Sequence, residues 1–226
     1  MTDNRCVLLF VKLPEKGRVK SRLARHIGQD AALALYESMA LDVIDMLKRG
    51  RFPFRICYTP PEARDQMTGW LGREYDYLPQ TGDDLGDRMD EAFARVFSTA
   101  VEEALLIGSD IPGLTTGIIE EAFASLAMND AVIGPANDGG YYLIGFRKNT
   151  FTPGIFHDMA WSTSAVFRAT MDKLHDASRK VHVLPELTDV DTVEDLRALL
   201  SQVGNSPSER SRTLSFLVQL RNGIVK

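Results

Sequence analysis

The sequence predicts an α/β fold, a mostly parallel sheet covered by helices on both sides. Three observations carry that prediction. Short apolar runs alternate with helical stretches along the 226 residues, the order that builds parallel sheets through crossover helices. The first run, residues 6–13 (CVLLFVKL), is apolar without alternation, as in a central strand covered on both faces. Motifs rich in Gly, Lys and Asp follow the apolar runs, where open α/β sheets bind ligands.

The elements follow in order. A loop with Pro14 and Gly17 leads to a helix over 29–48, in which Leu33, Tyr36, Ala40, Val43, Ile44 and Leu47 recur at helical spacing before Gly50. A strand at 54–59 is closed by Pro60-Pro61, and a short helix at 62–71 and a strand at 75–79 come next. Residues 81–87 (TGDDLGD) read as a loop and 88–100 as a helix. The run 104–108 (ALLIG) is a strand that stops at Ser109-Asp110-Ile111-Pro112. A helix at 116–127, a strand at 131–135, a turn at Asp138-Gly139-Gly140 and a strand at 141–146 follow. The last elements are a helix at 163–175, a strand at 181–184 and a helix at 192–200. Residues 204–211 (GNSPSERS) have linker composition. They separate a domain over 1–203 from a linker and tail over 204–226, which either docks as a short helix or packs on a partner chain, as in a homodimer.

An apolar fraction of 44% and a charged fraction of 25% are ordinary for a soluble globular chain, and the length suffices for a core without disulfides. Cys6 and Cys57 lie in strand-like runs, so buried reduced thiols are expected. The opening apolar run is too short for a membrane span and the residues before it do not form a signal peptide. A cytoplasmic protein is the expectation. The net charge of −5 argues against nucleic acid as a partner. Between Lys12 and Arg25, however, six cations accompany one anion, a concentration suited to a small anionic ligand.

Five motifs carry chemistry. In the first, Leu13, Pro14, Lys16, Gly17, Arg18, Lys20 and Arg22 leave the first strand and enter a helix, where backbone N–H groups and cations suit a diphosphate. It is neither a Walker A loop nor G-x-G-x-x-G; the bland alternative is a solvated basic turn. In the second, Ser109 and Asp110 end a buried strand, and the carboxylate there suits Mg²⁺ together with substrate phosphates; a turn aspartate is the alternative. In the third, Asp191 or Thr192 caps the last helix, which leaves Asp189 for a metal. In the fourth, Asp138, Gly139, Gly140 and Tyr141 let a substrate approach the backbone, or simply make a hairpin turn. In the fifth, Asp84 and Arg88 sit in a loop with more polar chemistry than a connection needs, and Arg88 reaches either an anion or Asp84. His26, His157, His175 and His182 form no metal-ligand pattern, and no G-x-S-x-G occurs.

In sequence order, KLPEKGRVKSRLA (12–24), TGDDLGDRM (81–89), GSDIPGL (108–114), PANDGGYYLIG (135–145), Trp161-Ser162-Thr163 and DVDTVEDL (189–196) resemble a bacterial family of proposed glycosyltransferases. That family, once classed only as a domain of unknown function, belongs to the nucleotide-diphospho-sugar transferase superfamily. The resemblance implies a GT-A-like, Rossmann-type three-layer sandwich with a mostly parallel mixed sheet. It further implies a nucleotide at the first loop and Mg²⁺ or Mn²⁺ at Asp110 with help from Asp189 or Asp191. Trp161 joins Asp138, Gly139, Gly140 and Tyr141 on the side of the sugar and a small-molecule acceptor. Asp110, Lys20 and Asp138 are the expected catalytic residues, with Asp138 as base. The same order of parts is similar to enzymes that guanylylate phospholactate and, more distantly, to molybdenum cofactor guanylyltransferases. Two departures are visible: Gly17 stands alone where many nucleotidyltransferases have several glycines, and Asp110 stands alone where many sugar transferases carry D-x-D. The preferred expectation is glycosyl transfer from a nucleotide-sugar. Nucleotidyl transfer to a phosphorylated small molecule and a non-catalytic nucleotide-binding role are the alternatives.

Overall fold

The structure, a computed structural model, describes residues 4–202 and 211–224. Its strands are β1 (Arg5–Lys12), β2 (Phe54–Thr59), β3 (Asp76–Pro79), β4 (Glu103–Ile107), β5 (Ala131–Pro135), β6 (Tyr141–Arg147) and β7 (Val181–Val183). They form one sheet in the order β3-β2-β1-β4-β6-β5-β7. Neighbours run parallel except at β6, which is antiparallel to both β4 and β5. The helices among the described residues are α1 (Ser21–Ile27), α2 (Gln29–Arg49), α3 (Arg64–Leu71), α4 (Leu85–Phe97), α5 (Thr116–Ser125), α6 (Val166–Asp176), α7 (Val193–Gln202) and α8 (Arg212–Ile224).

The alternation of side chains along β1 divides the core into two faces. Val7, Leu9 and Val11 pack with Val43 and Leu47 of α2, Met67 of α3 and Phe123 of α5. Cys6 and Leu8 face the opposite way and pack with Phe93 and Val96 of α4 and Leu174 of α6. Both cysteines are free and buried, and burial pushes the Cys6 thiol up to about 11. The result is the three-layer mixed sandwich that the alternating pattern and the motifs predict.

Two local differences from the sequence reading have physical causes, and one alternative it left open is decided. The cationic segment does not run into the long helix, because Gly28, at φ 85, ends α1 and starts α2 on a new axis. Helix α4 begins at Leu85 rather than 88, since Asp84 Oδ1 accepts from Asp87 N–H (2.9 Å) and Asp87 Oδ2 accepts from Asp83 N–H (3.2 Å), a reciprocal cap. The tail docks on its own chain: the Asp42 carboxylate of α2 accepts from Arg212 N–H and Thr213 N–H, both at 2.9 Å, and from Ser211 Oγ at 2.7 Å. Leu217 of α8 is then buried against Leu35 and Met39. The linker expected at 204–211 falls, except for Ser211, outside the described residues. No helix among the described residues is long and apolar enough to cross a membrane.

Strand β1 pairs with β2 on one side and β4 on the other, so the chain reverses its direction of travel across the sheet between them. A crevice opens at such a reversal, outside the carboxyl ends of the strands.

Candidate active site

The cationic turn and the acidic strand tips meet in that crevice. Lys20 precedes α1 in a left-handed conformation (φ 47), a strained choice for a residue with a side chain. The conformation turns its side chain inward, where it is 4% exposed. Its Nζ lies 2.7 Å from Asp110 Oδ2, at the tip of β4, and 3.8 Å from Asp191 Oδ1. Arg22 Nη1 reaches Asp191 Oδ2 at 3.2 Å. Three remote stretches of chain therefore share one ionic network.

Tyr36 fixes the floor. Its hydroxyl donates to the Lys12 carbonyl (2.9 Å) and accepts from Lys12 N–H (2.8 Å) and Ser109 Oγ (3.3 Å). One buried side chain of α2 thus ties the end of β1 to the end of β4. Burial holds its phenol well above the usual range, so it stays protonated and keeps donating.

The third acidic motif has more free carboxylate than a helix start needs. Thr192 and Asp195 cap α7 reciprocally: Asp195 Oδ2 accepts from Thr192 N–H (2.8 Å), and Thr192 Oγ1 accepts from Asp195 N–H (3.2 Å). Neither Asp189 nor Asp191 is spent on the cap. Burial, and next the negative charge of Asp138, push the Asp189 carboxyl up to about 6. Lys20 opposes that shift and Asp110 adds to it. Among the described residues neither Asp138 nor Asp189 has an ion-pair partner, so the negative charge of the site is concentrated on that side.

Two adjoining cavities make up the cleft. One, of about 370 Å³, is lined by Lys12, Arg18, Lys20, Tyr36, Gln80 and Arg88, among others. The other, of about 300 Å³, is lined by Met89, Ile111, Asp138, Tyr141, Trp161 and Asp189, among others. Phe10, Leu85, Gly108 and Asp110 line both. Asp110 thus stands on the shared wall between a cationic lobe and an apolar, acidic one. The second lobe depends on two close approaches. Gly139, at φ +87, lies so near the Ser164 backbone that a Cβ would sit 2.3 Å from its carbonyl oxygen, and Gly86 lets Trp161 pack over α4, where a Cβ would lie 3.1 Å from the ring.

The predicted residues fall into two groups. Arg18, Lys20, Arg88, Ser109, Asp110 and Asp191 line the first lobe, and Asp110, Asp138, Gly140, Tyr141, Trp161 and Asp189 line the second. The others touch neither lining. Leu13 is in the core, Lys16 pairs with Asp30, Gly17 turns the loop at φ 76, and Asp84 is the α4 cap. Pro14 lies in the loop after β1, Gly139 shapes the backbone beside the second lobe, and Arg22 holds Asp191 from outside. Arg88 does not pair with Asp84; its Nε donates to the Gly82 carbonyl at 3.1 Å. Phe10, Tyr36, Gln80, Leu85 and Met89 went unpredicted as site residues. Apolar residues in a strand or helix give no signal that one edge faces a ligand.

Oxygen donors at Asp110 and Asp189, in a pocket with surplus negative charge, fit a hard divalent cation completed by ligand phosphates. Among the described residues no group of three or more His, Cys, Asp or Glu is disposed to hold an ion unaided.

A family profile described as an uncharacterized protein conserved in bacteria (DUF2064) matches residues 42–163. The chain belongs to the DUF2064 family. The matched segment contains Asp110, Asp138 and Trp161 of this DUF2064 protein but neither the cationic turn nor Asp189. A proposed nucleotide-diphospho-sugar transferase from Desulfovibrio desulfuricans G20 is similar over both parts: 38% identity, 98% of each chain and a TM-score of 0.92. The fold is that of the nucleotide-diphospho-sugar transferases. It is shared by a cytidylyltransferase from Leptospira borgpetersenii (12% identity, 99% of this chain and 96% of that one, TM-score 0.59). It is shared too by Rv0371c from Mycobacterium tuberculosis, solved in complex with manganese (17% identity, 88% and 98%, TM-score 0.52). No curated protein matches the sequence.

Proposed function

We propose that this chain is a glycosyltransferase that uses a divalent metal to move a sugar from a nucleotide-diphospho-sugar to a hydroxyl of a small-molecule acceptor. The observation that carries this reading is Asp110 on the wall between a cationic lobe and a lobe without cations. A nucleoside diphosphate suits the first lobe, where Arg18, Lys20 and Arg88 hold the charge that develops as the bond to sugar breaks. Mg²⁺ or Mn²⁺, held by Asp110 and Asp189, supplies Lewis-acid neutralisation of the same diphosphate.

The sugar extends past Asp110 into the second lobe, against Tyr141 and Trp161. Asp138 Oδ1 accepts from Gly140 N–H at 2.8 Å, which orients the carboxylate and leaves Oδ2 to take the acceptor's hydroxyl proton. The acceptor oxygen bonds to the anomeric carbon. The bond from that carbon to the phosphate oxygen breaks, and its electron pair leaves with the diphosphate.

Nucleotidyl transfer from a triphosphate is the second reading, favoured by the fold shared with a cytidylyltransferase. It requires a phosphorylated acceptor in the second lobe, which three carboxylates and no cation oppose. Incubation with Mn²⁺ and labelled nucleotides separates the two. Release of nucleoside diphosphate from a nucleotide-sugar is expected; pyrophosphate release from a triphosphate would replace this reading with the second. Asp110→Asn should lower turnover by about 10²–10³. Nucleotide binding by Asp110→Asn, equal to the parent's and indifferent to Mn²⁺ in both, would instead mark a non-catalytic nucleotide-binding protein.

A further inference from the structure

We infer that the second lobe selects the transferred sugar by charge, admitting a neutral or amino sugar and rejecting a uronic acid or other anionic glycosyl group. This deepens the glycosyltransferase reading and rests on it.

Among the described residues lining the lobe, none is Lys, Arg or His, whereas Asp110, Asp138 and Asp189 all face it. These three come from different stretches of chain: the tip of β4, the turn between β5 and β6, and the segment before α7. Their common orientation is a property of the cleft and not of one acidic run. The nearby cations are committed elsewhere. Lys20 pairs with Asp110 and Asp191 from the side of the first lobe, and Arg22 holds Asp191 from outside both lobes; neither pairs with Asp138 or Asp189.

Of the remaining walls, Phe10, Leu85, Met89, Ile111, Trp161 and Val166 are apolar or aromatic and Ser162 and Thr163 add hydroxyls, so no positive charge in the lining balances a negative one. A divalent ion does not reverse this balance, because the donor's diphosphate takes up its charge. A sugar carboxylate would then lie beside Asp138 and Asp189 with no cation to receive it. A neutral sugar presents C–H faces to Trp161 and Tyr141 and hydroxyls to the carboxylates. An amino sugar adds an ammonium where negative charge is in surplus.

The test is a competition assay with donors that differ only in the sugar. The nucleoside diphosphate that raises the melting temperature most in the presence of Mn²⁺ is chosen first. Its glucose, glucosamine and glucuronic acid esters are then compared for displacement of the free diphosphate. The glucuronic acid ester should bind at least about tenfold more weakly than the glucose ester, and the glucosamine ester at least as tightly. Thr163→Lys places a cation on the same wall and should close the gap for glucuronic acid while leaving binding of the free diphosphate unchanged. Equal or tighter binding of the glucuronic acid ester by the parent protein would overturn the charge selection and leave the transferase reading standing. Failure of every nucleoside diphosphate to bind would overturn both.

Discussion

The Lys20 ammonium lies 2.7 Å from Asp110 Oδ2, although ninety positions separate the two in sequence. The contact joins the cationic turn after β1 to the acidic tip of β4, and it occupies the place where phosphate and metal charges are expected to meet. Lys20→Met should weaken nucleoside diphosphate binding by about 2–5 kcal/mol, as when one partner of a buried charge pair is truncated. Titration calorimetry reads the loss. Lys20→Arg should not restore affinity, because a planar fork does not fit a slot that holds a point charge. Parent-like affinity in both variants would remove Lys20 from the phosphate site.

As a proposed metal ligand, Asp189 would make metal binding dependent on pH. Its carboxyl titrates at about 6, raised from 3.8. The folded protein without metal therefore binds this proton more tightly than the unfolded chain does. That contribution to stability is complete below about pH 4 and is lost as pH rises through 6. Metal binding runs the other way, because the ion requires the carboxylate. The rise in melting temperature on adding Mn²⁺ should thus shrink between pH 7.5 and pH 5, and Asp189→Asn should flatten the trend. An Mn²⁺ effect constant across that range would exclude Asp189 as a ligand.

Tyr36→Phe removes one donor and one doubly used acceptor from the floor of the cleft. Lys12 N–H and C=O both lose their partner. A loss of about 1–3 kcal/mol is expected in urea denaturation. Weaker nucleotide binding should accompany it, since the end of β1 leads directly into the cationic turn. Unchanged stability would mean that water replaces the phenol without penalty.

Gly139→Ala meets two obstacles, a positive φ of 87 and the Ser164 carbonyl oxygen 2.3 Å from the new Cβ. The turn must shift and carry Asp138 with it, at about 1–3 kcal/mol. Glycosyl transfer should fall sharply while the free nucleoside diphosphate still binds, because the first lobe does not include this turn. A parallel loss of diphosphate binding would show that the two lobes are not independent.

The sheet was legible in the sequence wherever apolar runs ended at Pro or Gly. Strands β2 and β5 were expected at the bounds they have, and the tip carrying Asp110 was placed by the stop after Gly108. The reversal of β6 was legible only as an alternative, in the hairpin turn at Asp138-Gly139-Gly140, and its antiparallel pairing with β4 was not, since an apolar run has no neighbour until it pairs. Charge was also a poor guide to orientation. Lys16 and Lys20 lie in the same turn, yet Lys16 faces Asp30 on the outside while Lys20 is drawn inside by its left-handed backbone. Phe10 read as core because it lies inside the first apolar run, while Leu85 and Met89 were passed over inside a motif singled out for its polar residues. Tyr36 fitted the helical spacing of α2, and nothing in that pattern announces a hydroxyl with three partners.

The antiparallel course of β6 divides the two halves of the cleft by how freely they can vary. The half proposed for the nucleotide is built from connections that must carry the chain from a strand into a helix, so any insertion there displaces α1 or α4. The half proposed for the sugar closes through a hairpin between β5 and β6 that begins and ends at the ligand edge of the sheet. It touches a helix at one point, where Phe167 N–H of α6 donates to the Gly139 carbonyl at 2.8 Å. On the proposed function, relatives can therefore diverge in sugar and acceptor at Ala136 and Asn137 with Asp138 and Gly139 kept, and an engineer seeking new acceptors would vary the hairpin there and leave the cationic turn alone.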